Sequence, residues 1–592
     1  MSTQNLIPQP QKITVKDQNR INWQVFKQFH LAGMPDASFA IVKKEFLGVK
    51  FHVAGAGFFA ELSNTAVPGP VLTIPDKFSA YSLEVTTDRI RIDATDFDGL
   101  WSGLQTLRQL IIGELAALEI QDYPAIKYRS IHCDLKGYQP KFPVLLEEFR
   151  MLAGYKVNMV LLEIEDKYDF QCAPEVGIPG AYNFEEMREL SRYAAALNIK
   201  IVPKLQCLAH LDYMLKHKRY RSLREDNHPF QFCPCNPDSF ELWKKMVLEL
   251  LECFAEHHEY FHIGADEAIH LGACPECSKL GKANAFMTRV EPCIDFIIAN
   301  GRTPIMWEDI LRNTNNLFTP EDAAVTMHLG EKAILMYWAY GYGGYNNTFP
   351  YIPLYKSRGY RVWGASGYGG CDNLIGSLPP LAIRAQNITA WTKSAVENQV
   401  ESVVATGWTK ISSAEPPAEP HEAAWFSIIF AAESMWNGKE RDLAVFIDAL
   451  SQQLYGCRLP KNLIDSILNI ARNPFKLDYL NVTSDTPQRL ALLQYTAAAE
   501  SFSQERDMLI NRCYQMYNNV LGKIMPDYRI DLNRKFANRL LDKLNVLEPK
   551  TREILSEFYE PSTVTDFIVS RFGYPRRIAD ELLKLADKTQ PQ

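Results

Sequence analysis

Two adjacent carboxylates, Asp266 and Glu267, close the stretch His262-Ile263-Gly264-Ala265-Asp266-Glu267. The apolar run before them, Tyr260-Phe261-His262-Ile263, is bounded by Gly264 and reads as a short buried strand. Neighbours on a strand point to opposite faces, so two adjacent acids would ordinarily meet different surroundings. A loop at the strand end can turn both toward one pocket. Such a pocket can keep one carboxyl group protonated and the other ionised, which is the requirement of acid–base chemistry. The plain alternative is a solvated acid pair.

The elements that must position this pair lie between about residues 125 and 436. Eight short apolar runs occur there: Tyr128 to Leu135, Asn158 to Ile164, Ile199 to Leu205, Tyr260 to Gly264, Pro304 to Trp307, Ile334 to Trp338, Tyr360 to Trp363 and Ser402 to Trp408. Amphipathic segments at 143–155, 184–197, 238–257, 285–300 and 380–398 separate most of them. Strand and helix in alternation predict a (β/α)8 TIM barrel. A doubly wound sheet is the alternative, but no Gly-rich phosphate loop follows the first run. Catalytic groups of a barrel sit at the C-terminal ends of its strands. Asp134, Glu165, Asp166, Gln206, His210, Asp266, Glu267, Glu308, Asp309, Trp338, Trp363 and Trp408 fall at or just past such ends.

The barrel is expected over 121–436. Before it, residues 1–120 form a small α/β domain. Tyr81, Leu83 and Val85 alternate with polar residues, and Leu100, Leu104, Leu107 and Ile111 fall at helical spacing after Asp96 or Asp98, either a plausible N-cap. Residues 437–592 read as helices with charged faces, a helical scaffold or a dimerisation domain. Of 592 residues, 47% are hydrophobic and 22% charged, as in an ordinary globular protein, and the length fits two or three domains. A net charge of −7 leaves no basic excess for nucleic acid. No run approaches 18 apolar residues, so no membrane span is indicated. The first residues lack a secretory pattern, which with 12 scattered cysteines makes a cytoplasmic protein with reduced thiols the expectation.

The rim is acidic and aromatic. Trp307, Trp338, Trp363 and Trp408 each close a run. Flat aromatic faces stack on the apolar face of a pyranose while acids accept from its hydroxyls, so the pattern favours a sugar over a phosphorylated substrate. At this point the chain resembles glycoside hydrolase family 20, the β-N-acetylhexosaminidases, and especially the branch related to hexosaminidase D. His262 to Glu267 is similar to the family signature, with Ala265 where many members have Gly. The stretch Tyr81 to Ile111, with Gly103 to Leu110 near its end, resembles the accessory domain before the barrel. Arg129-Ser130 through Asp134 to Gly137 resembles the first barrel strand, with Ser130 replacing a usual Gly. Glu163 to Asp166, Trp307-Glu308-Asp309 and Thr406-Gly407-Trp408 resemble the second, fifth and eighth strand ends. The resemblance covers about residues 5 to 436.

What the resemblance implies is substrate-assisted hydrolysis of terminal β-linked GlcNAc or GalNAc, an exception among retaining glycosidases because the substrate supplies the nucleophile. The acetamido oxygen attacks the anomeric carbon. Asp266 would hold the acetamido N–H and stabilise the developing charge. Glu267 would be the acid and then the base. By the same resemblance Arg129 grips sugar hydroxyls, the alternative being a structural ion pair, and His210 matches a family histidine, with Ala209 where that motif has Gly. Trp307, Trp338 and Trp408 wall the acetamido pocket. Tyr340 or Tyr368 bonds the acetamido carbonyl, Glu419 takes a hydroxyl, and His262 supports the carboxylates from behind. The partner is an N-acetylhexosamine-terminated glycan, and catalysis uses no cofactor.

One feature stands outside the family pattern. Cys233-Pro-Cys235 follows the third run and Cys274-Pro-Glu-Cys277 the fourth, and adjacent strands would bring these loops together. Four thiolates fit a tetrahedral structural zinc site; free thiols are the alternative. Two other classes of function stay open on the residues alone: a metal-dependent hydrolase using His210, His262, Asp266 and Asp309, although no H-x-H or H-E-x-x-H spacing occurs, and a non-catalytic glycan-binding barrel. A homodimer is also compatible with the chain.

Overall fold

The computed structural model describes residues 3–53, 55–112, 115–313, 319–341, 347–371, 376–413, 415–468, 480, 482–520 and 527–588. The N-terminal part is a seven-stranded mixed sheet. Its strands are β1 (Lys12–Ile21), β2 (Gln28–Ala32), β3 (Lys50–Val53), β4 (Phe58–Ser63), β5 (Tyr81–Val85), β6 (Arg89–Ala94) and β7 (Leu115–Asp122). Their spatial order is β1-β7-β5-β6-β4-β2-β3, antiparallel except for the β2–β3 pair. The alternation of Tyr81, Leu83 and Val85 builds one buried face. A helix over Phe97–Ile111 covers it with Leu100, Leu104 and Leu107. Asp96 is its N-cap, accepting from Gly99 N at 2.8 Å. Asp98 does something else, as described below.

The barrel follows. Its strands are β8 (Tyr128–Asp134), β9 (Met159–Glu163), β10 (Lys200–Lys204), β11 (Tyr260–His262), β12 (Thr303–Trp307), β13 (Ile334–Trp338), β14 (Val362–Gly369) and β15 (Ser402–Gly407). Each is parallel to the next, and β15 closes on β8. Helices Phe142–Gly154, Phe184–Ala196, Pro237–Cys253, Lys282–Ala299 and Leu381–Glu397 lie where the amphipathic segments predict them. Period-two alternation sends Met159, Leu161, Val202, Ile305, Met336 and Val404 inward to fill the barrel as a packed core.

One strand departs from the sequence reading. The seventh run was expected to end at Trp363, but β14 continues through Gly369. Trp363 therefore stands at the start of its strand, at the N-terminal end of the barrel, with its ring 4.9 Å from Tyr260 and 5.8 Å from Tyr128. It is not a rim residue.

The C-terminal part is helical. Among its described elements are Leu443–Tyr455, Gln488–Val520, Asp527–Phe558, Pro561–Ile568 and Tyr574–Lys588. It braces the catalytic end of the barrel. Lys141 N donates to Phe558 O at 2.8 Å and Glu560 N to Gln139 O at 3.0 Å, which fixes the loop after β8. The buried Arg571 donates to Pro417 O at 2.7 Å and Ala418 O at 2.9 Å, which fixes the loop after β15.

Candidate active site

A cavity of about 210 Å³ opens at the C-terminal end of the barrel. Lys136, Gln206, His210, Asp266, Glu267, Trp307, Trp338, Tyr340, Gly370, Trp408, Lys410 and Ile411 line it. Asp266 and Glu267 face the same space because the backbone leaves β11 through left-handed conformations. Gly264 has φ +70°, Ala265 +74° and Glu267 +45°. At Ala265 and Glu267 this conformation costs of order 1–3 kcal/mol each, so neighbouring contacts must hold it. Gly264 N donates to His262 Nδ1 at 3.0 Å, Ala265 N to Gln206 Oε1 at 3.3 Å, and Glu267 N to Asp309 Oδ2 at 3.0 Å. Glycine is required at 264 for space as well, since a Cβ there would overlap the Gln206 carboxamide.

The two acids are housed differently. Asp266 is nearly buried, its side chain 11% exposed, while that of Glu267 is 45% exposed at the mouth. Gln206 Nε2 donates to Asp266 Oδ1 at 2.8 Å. His210 Nε2 lies 3.4 Å from Asp266 Oδ2 and 3.3 Å from Glu267 Oε2, in ion-pair range of both but aligned for a hydrogen bond to neither. Behind them burial, then the neighbouring Asp266, pushes the Asp309 carboxyl well above the usual range. Burial pushes Glu308 up to about 7, against the pull of Arg312, whose Nε donates to it at 2.9 Å, and of Tyr355 at 2.8 Å. Burial, then Lys204, holds His262 well below its ordinary value. This imidazole is neutral, and because Nδ1 accepts from Gly264 its proton sits on Nε2.

The walls are aromatic. Trp307 and Trp408 stand 5.7 Å apart between centroids, and Trp338 stacks on Tyr340 at 5.4 Å. Trp408 Nε1 donates to the Tyr340 hydroxyl at 3.0 Å. The floor is charged and closed. Lys204 donates to Glu163 at 2.6 Å, and His132 Nε2 lies 3.0 Å from the same oxygen. Burial alone would raise Glu163, but Lys136, Lys204 and His132 more than offset it and hold it well below the usual range. Lys136, 4.6 Å above the Trp408 ring, stays protonated: burial opposes this, and Asp134, Glu163, Glu165 and Asp266 outweigh it.

Seven of the nine expected catalytic and sugar-binding residues thus converge: His210, Asp266, Glu267, Trp307, Trp338, Tyr340 and Trp408. Two do not. Arg129 is the second residue of β8 and lies at the opposite end of the barrel, fully buried. It donates to Lys156 O at 2.7 Å, Lys127 O at 2.9 Å and the Asp98 carboxylate at 2.9 Å. It joins the accessory domain to the barrel and cannot reach a ligand. Glu419 is buried behind the wall, its Oε1 accepting from Gly370 N at 2.6 Å, and is not among the lining residues. Tyr368, the competitor of Tyr340, is buried and donates to His132 O at 3.0 Å. Lys136, Gly370, Lys410 and Ile411 line the cavity although the sequence reading names none of them as a binding residue; Lys136 lies within a quoted motif, and Lys410 and Ile411 stand two and three residues beyond Trp408.

Cys233, Cys235, Cys274 and Cys277 come together beside the site. His210, His262, Asp266 and Asp309, the donors of a metal-dependent hydrolase, form no such cluster among the described residues.

Comparison with known proteins agrees with this geometry. Residues 118–439 match the family described as glycosyl hydrolase family 20, catalytic domain, and residues 3–123 match glycosyl hydrolase family 20, domain 2. Hexosaminidase D of Bos taurus is 26% identical over 298 residues, 48% of this chain and 84% of that protein. Hexosaminidase D of Homo sapiens is 25% identical over 298 residues, 48% of this chain, and the match spans 60% of the human protein's length. Among solved structures, a β-N-acetylhexosaminidase from Bacteroides fragilis NCTC 9343 superposes with a TM-score of 0.58 at 20% identity, over 76% of this chain and 94% of that one.

Proposed function

Since the chain belongs to glycosyl hydrolase family 20 and carries that family's catalytic domain, we propose that it removes terminal β-linked N-acetylhexosamine from the non-reducing ends of glycans, with retention and through the substrate's own acetamido group. It is a glycoside hydrolase of the β-N-acetylhexosaminidase type. The observation that carries the finer reading is the unequal housing of the paired acids, Asp266 buried and pinned by Gln206, Glu267 half-exposed at the mouth.

The 2-acetamido oxygen attacks the anomeric carbon and closes an oxazolinium ring as the glycosidic bond breaks. Glu267 gives its proton to the leaving oxygen, then takes one from the water that opens the ring. Its exposure suits a group that must trade protons with water. Asp266 accepts from the acetamido N–H and balances the positive charge that develops on the ring. A fixed, nearly buried carboxylate does this better than water can. Trp307, Trp338 and Trp408 hold the acetamido group close to attack geometry, which makes the first step intramolecular. Tyr340 accepts from the Trp408 indole, and a phenol that accepts can also donate, here to the acetamido carbonyl. Lys136, two residues past the C-terminal end of β8, takes the hydroxyl-gripping role that the resemblance gave to Arg129. No cofactor enters these steps, because the nucleophile comes with the substrate.

The test is hydrolysis of paired chromogenic β-GlcNAc, β-GalNAc and β-glucose glycosides, with the first-formed anomer identified by NMR. The reading expects β-anomer from both acetamido sugars and almost no glucoside cleavage. An initial α-anomer, or comparable glucoside rates, would rule out substrate assistance.

A further inference from the structure

The geometry points to a structural zinc ion held by the thiolates of Cys233, Cys235, Cys274 and Cys277, clamping together the two loops that carry His210 and the Asp266–Glu267 pair. The Sγ atoms of Cys233 and Cys274 are 3.6 Å apart, those of Cys233 and Cys277 3.6 Å, and those of Cys235 and Cys277 3.3 Å. A disulfide requires about 2.05 Å, so these are not bonded pairs. A regular tetrahedron with Zn–S bonds of about 2.3 Å has edges near 3.8 Å. These three of the six sulfur–sulfur edges thus already stand close to the length that the metal demands.

A second observation is independent of the sulfurs. Glu225 is fully buried against the cluster. Its Oε1 accepts from Cys274 N at 2.9 Å and its Oε2 lies 3.3 Å from Cys277 Sγ. No lysine or arginine pairs with it among the described residues, and buried charges are normally paired or set beside metals. A divalent cation offsets part of the negative charge that deprotonated thiols would gather here. An oxygen of Glu225 also lies within 4.8 Å of the Cys233, Cys274 and Cys277 sulfurs. The fourth corner falls to Cys235, 3.3 Å from Cys277, because thiolate is the softer ligand, and Glu225 is left to orient the turn through Cys274 N.

The location gives the ion its use. The loop after β10 carries His210 and, further along, Cys233 and Cys235. Backbone bonds Leu211 N to Phe230 O and Phe232 N to Leu208 O fold it back on itself, and Phe230 meets the His210 ring at 4.7 Å. The loop after β11 carries Asp266 and Glu267 and, eight residues beyond Asp266, Cys274. Across the two, His270 N donates to Gln231 Oε1 at 3.1 Å, and the rings of His228 and His270 stack at 3.9 Å. One metal ties both loops at their far ends, and this holds whatever sugar the cavity takes.

The test uses the full chain, purified without chelators or a metal-binding tag. About one zinc per chain is expected by elemental analysis. Cobalt(II) replacing it should give intense thiolate-to-cobalt absorption, weakened by roughly a quarter in Cys235→Ser, as loss of one of four thiolate ligands implies, and unchanged in Glu225→Gln. Removing the metal should speed hydrogen exchange in 207–236 and 264–277 by at least about tenfold while leaving the N-terminal sheet unaltered. Cys274→Ser should lose the zinc; if it does not fold, Cys235→Ser and the cobalt spectrum carry the test. Wild-type protein that takes up no zinc even from added zinc salt overturns the site. A full spectrum in Cys235→Ser with loss in Glu225→Gln overturns the ligand set. Unchanged loop exchange overturns the clamp.

Discussion

The carboxamide of Gln206 is built into the turn that carries Asp266: Nε2 donates to Asp266 Oδ1 at 2.8 Å while Oε1 accepts from Ala265 N at 3.3 Å. One side chain from the end of β10 thereby fixes both the carboxylate of the next strand's loop and the strained backbone beneath it. The acid is aimed by a neighbour, so its aim can be removed without removing the acid.

Gln206→Leu keeps the bulk and deletes both hydrogen bonds. It is expected to lower kcat about 10- to 100-fold, as loss of an orienting partner does, with KM changed far less. Steady-state kinetics on an aryl β-N-acetylglucosaminide read this out. A change in KM alone would mean that Gln206 contacts the sugar and does not orient Asp266.

The two acids should separate by leaving group. Glu267→Gln is expected to lose about 10²- to 10⁴-fold on substrates with poor leaving groups, and much less in the first step where the aglycone departs unaided. Asp266→Asn weakens charge stabilisation of the ring closure, so its loss should be nearly the same for both. Rates on a matched pair of aryl glycosides of low and high leaving-group pKa check this. Parallel losses in the two variants would show that the roles are not divided in this way.

The hydroxyl-gripping role that the resemblance gives to Arg129 is here proposed for Lys136. Arg129→Met strips a buried cation from the Asp98 carboxylate and three carbonyls, and should cost about 3–5 kcal/mol of stability, with KM unchanged in the protein that folds. Lys136→Met should raise KM for the sugar. Thermal unfolding alongside kinetics separates the two, and a raised KM in Arg129→Met would contradict the placement.

Much of this architecture is legible in the chain because the barrel alternates cleanly. Runs such as Ile334 to Trp338 are apolar throughout, and strand β13 has those same ends. The seventh strand is not legible. After Trp363 it proceeds through Gly364, Ala365, Ser366 and Gly367, which carry no apolar alternation. Two of them are glycines where the structure leaves no room: a Cβ on Gly364 would press on the Trp391 ring and one on Gly367 on the Cys371 sulfur. Packing between elements, invisible to local pattern, set that strand's length and sent Trp363 to the far end of the barrel. Arg129 failed for a simpler reason. It lies five residues before the end of β8, about 16 Å at strand rise, so motif likeness placed at the rim a residue that strand geometry keeps away from it. The converging acids were found because a run ending in Gly264 announces a turn, although the chain alone does not reveal that Ala265 and Glu267 share its left-handed backbone.

Glu308 gives the barrel a stability term that falls with pH. Burial raises this carboxyl from 4.5 to about 7, even with Arg312 and Tyr355 bonded to it. The folded protein therefore holds the proton more tightly than the unfolded chain, and deprotonation favours unfolding. The contribution is complete below about pH 4.5 and is lost as pH rises through about 7. The whole window corresponds to roughly 3 kcal/mol at most. Asp309, raised for the same reason and by Asp266, has the same sign. Glu308→Gln keeps the shape of the protonated acid and its acceptor oxygen but has no proton to lose. It should match the wild type near pH 4.5 and become the more stable of the two above pH 7. Thermal unfolding of both proteins across pH 4.5 to 8 measures the difference. Melting curves that stay parallel over that range would mean that Glu308 is ionised throughout and that Arg312 compensates its burial fully.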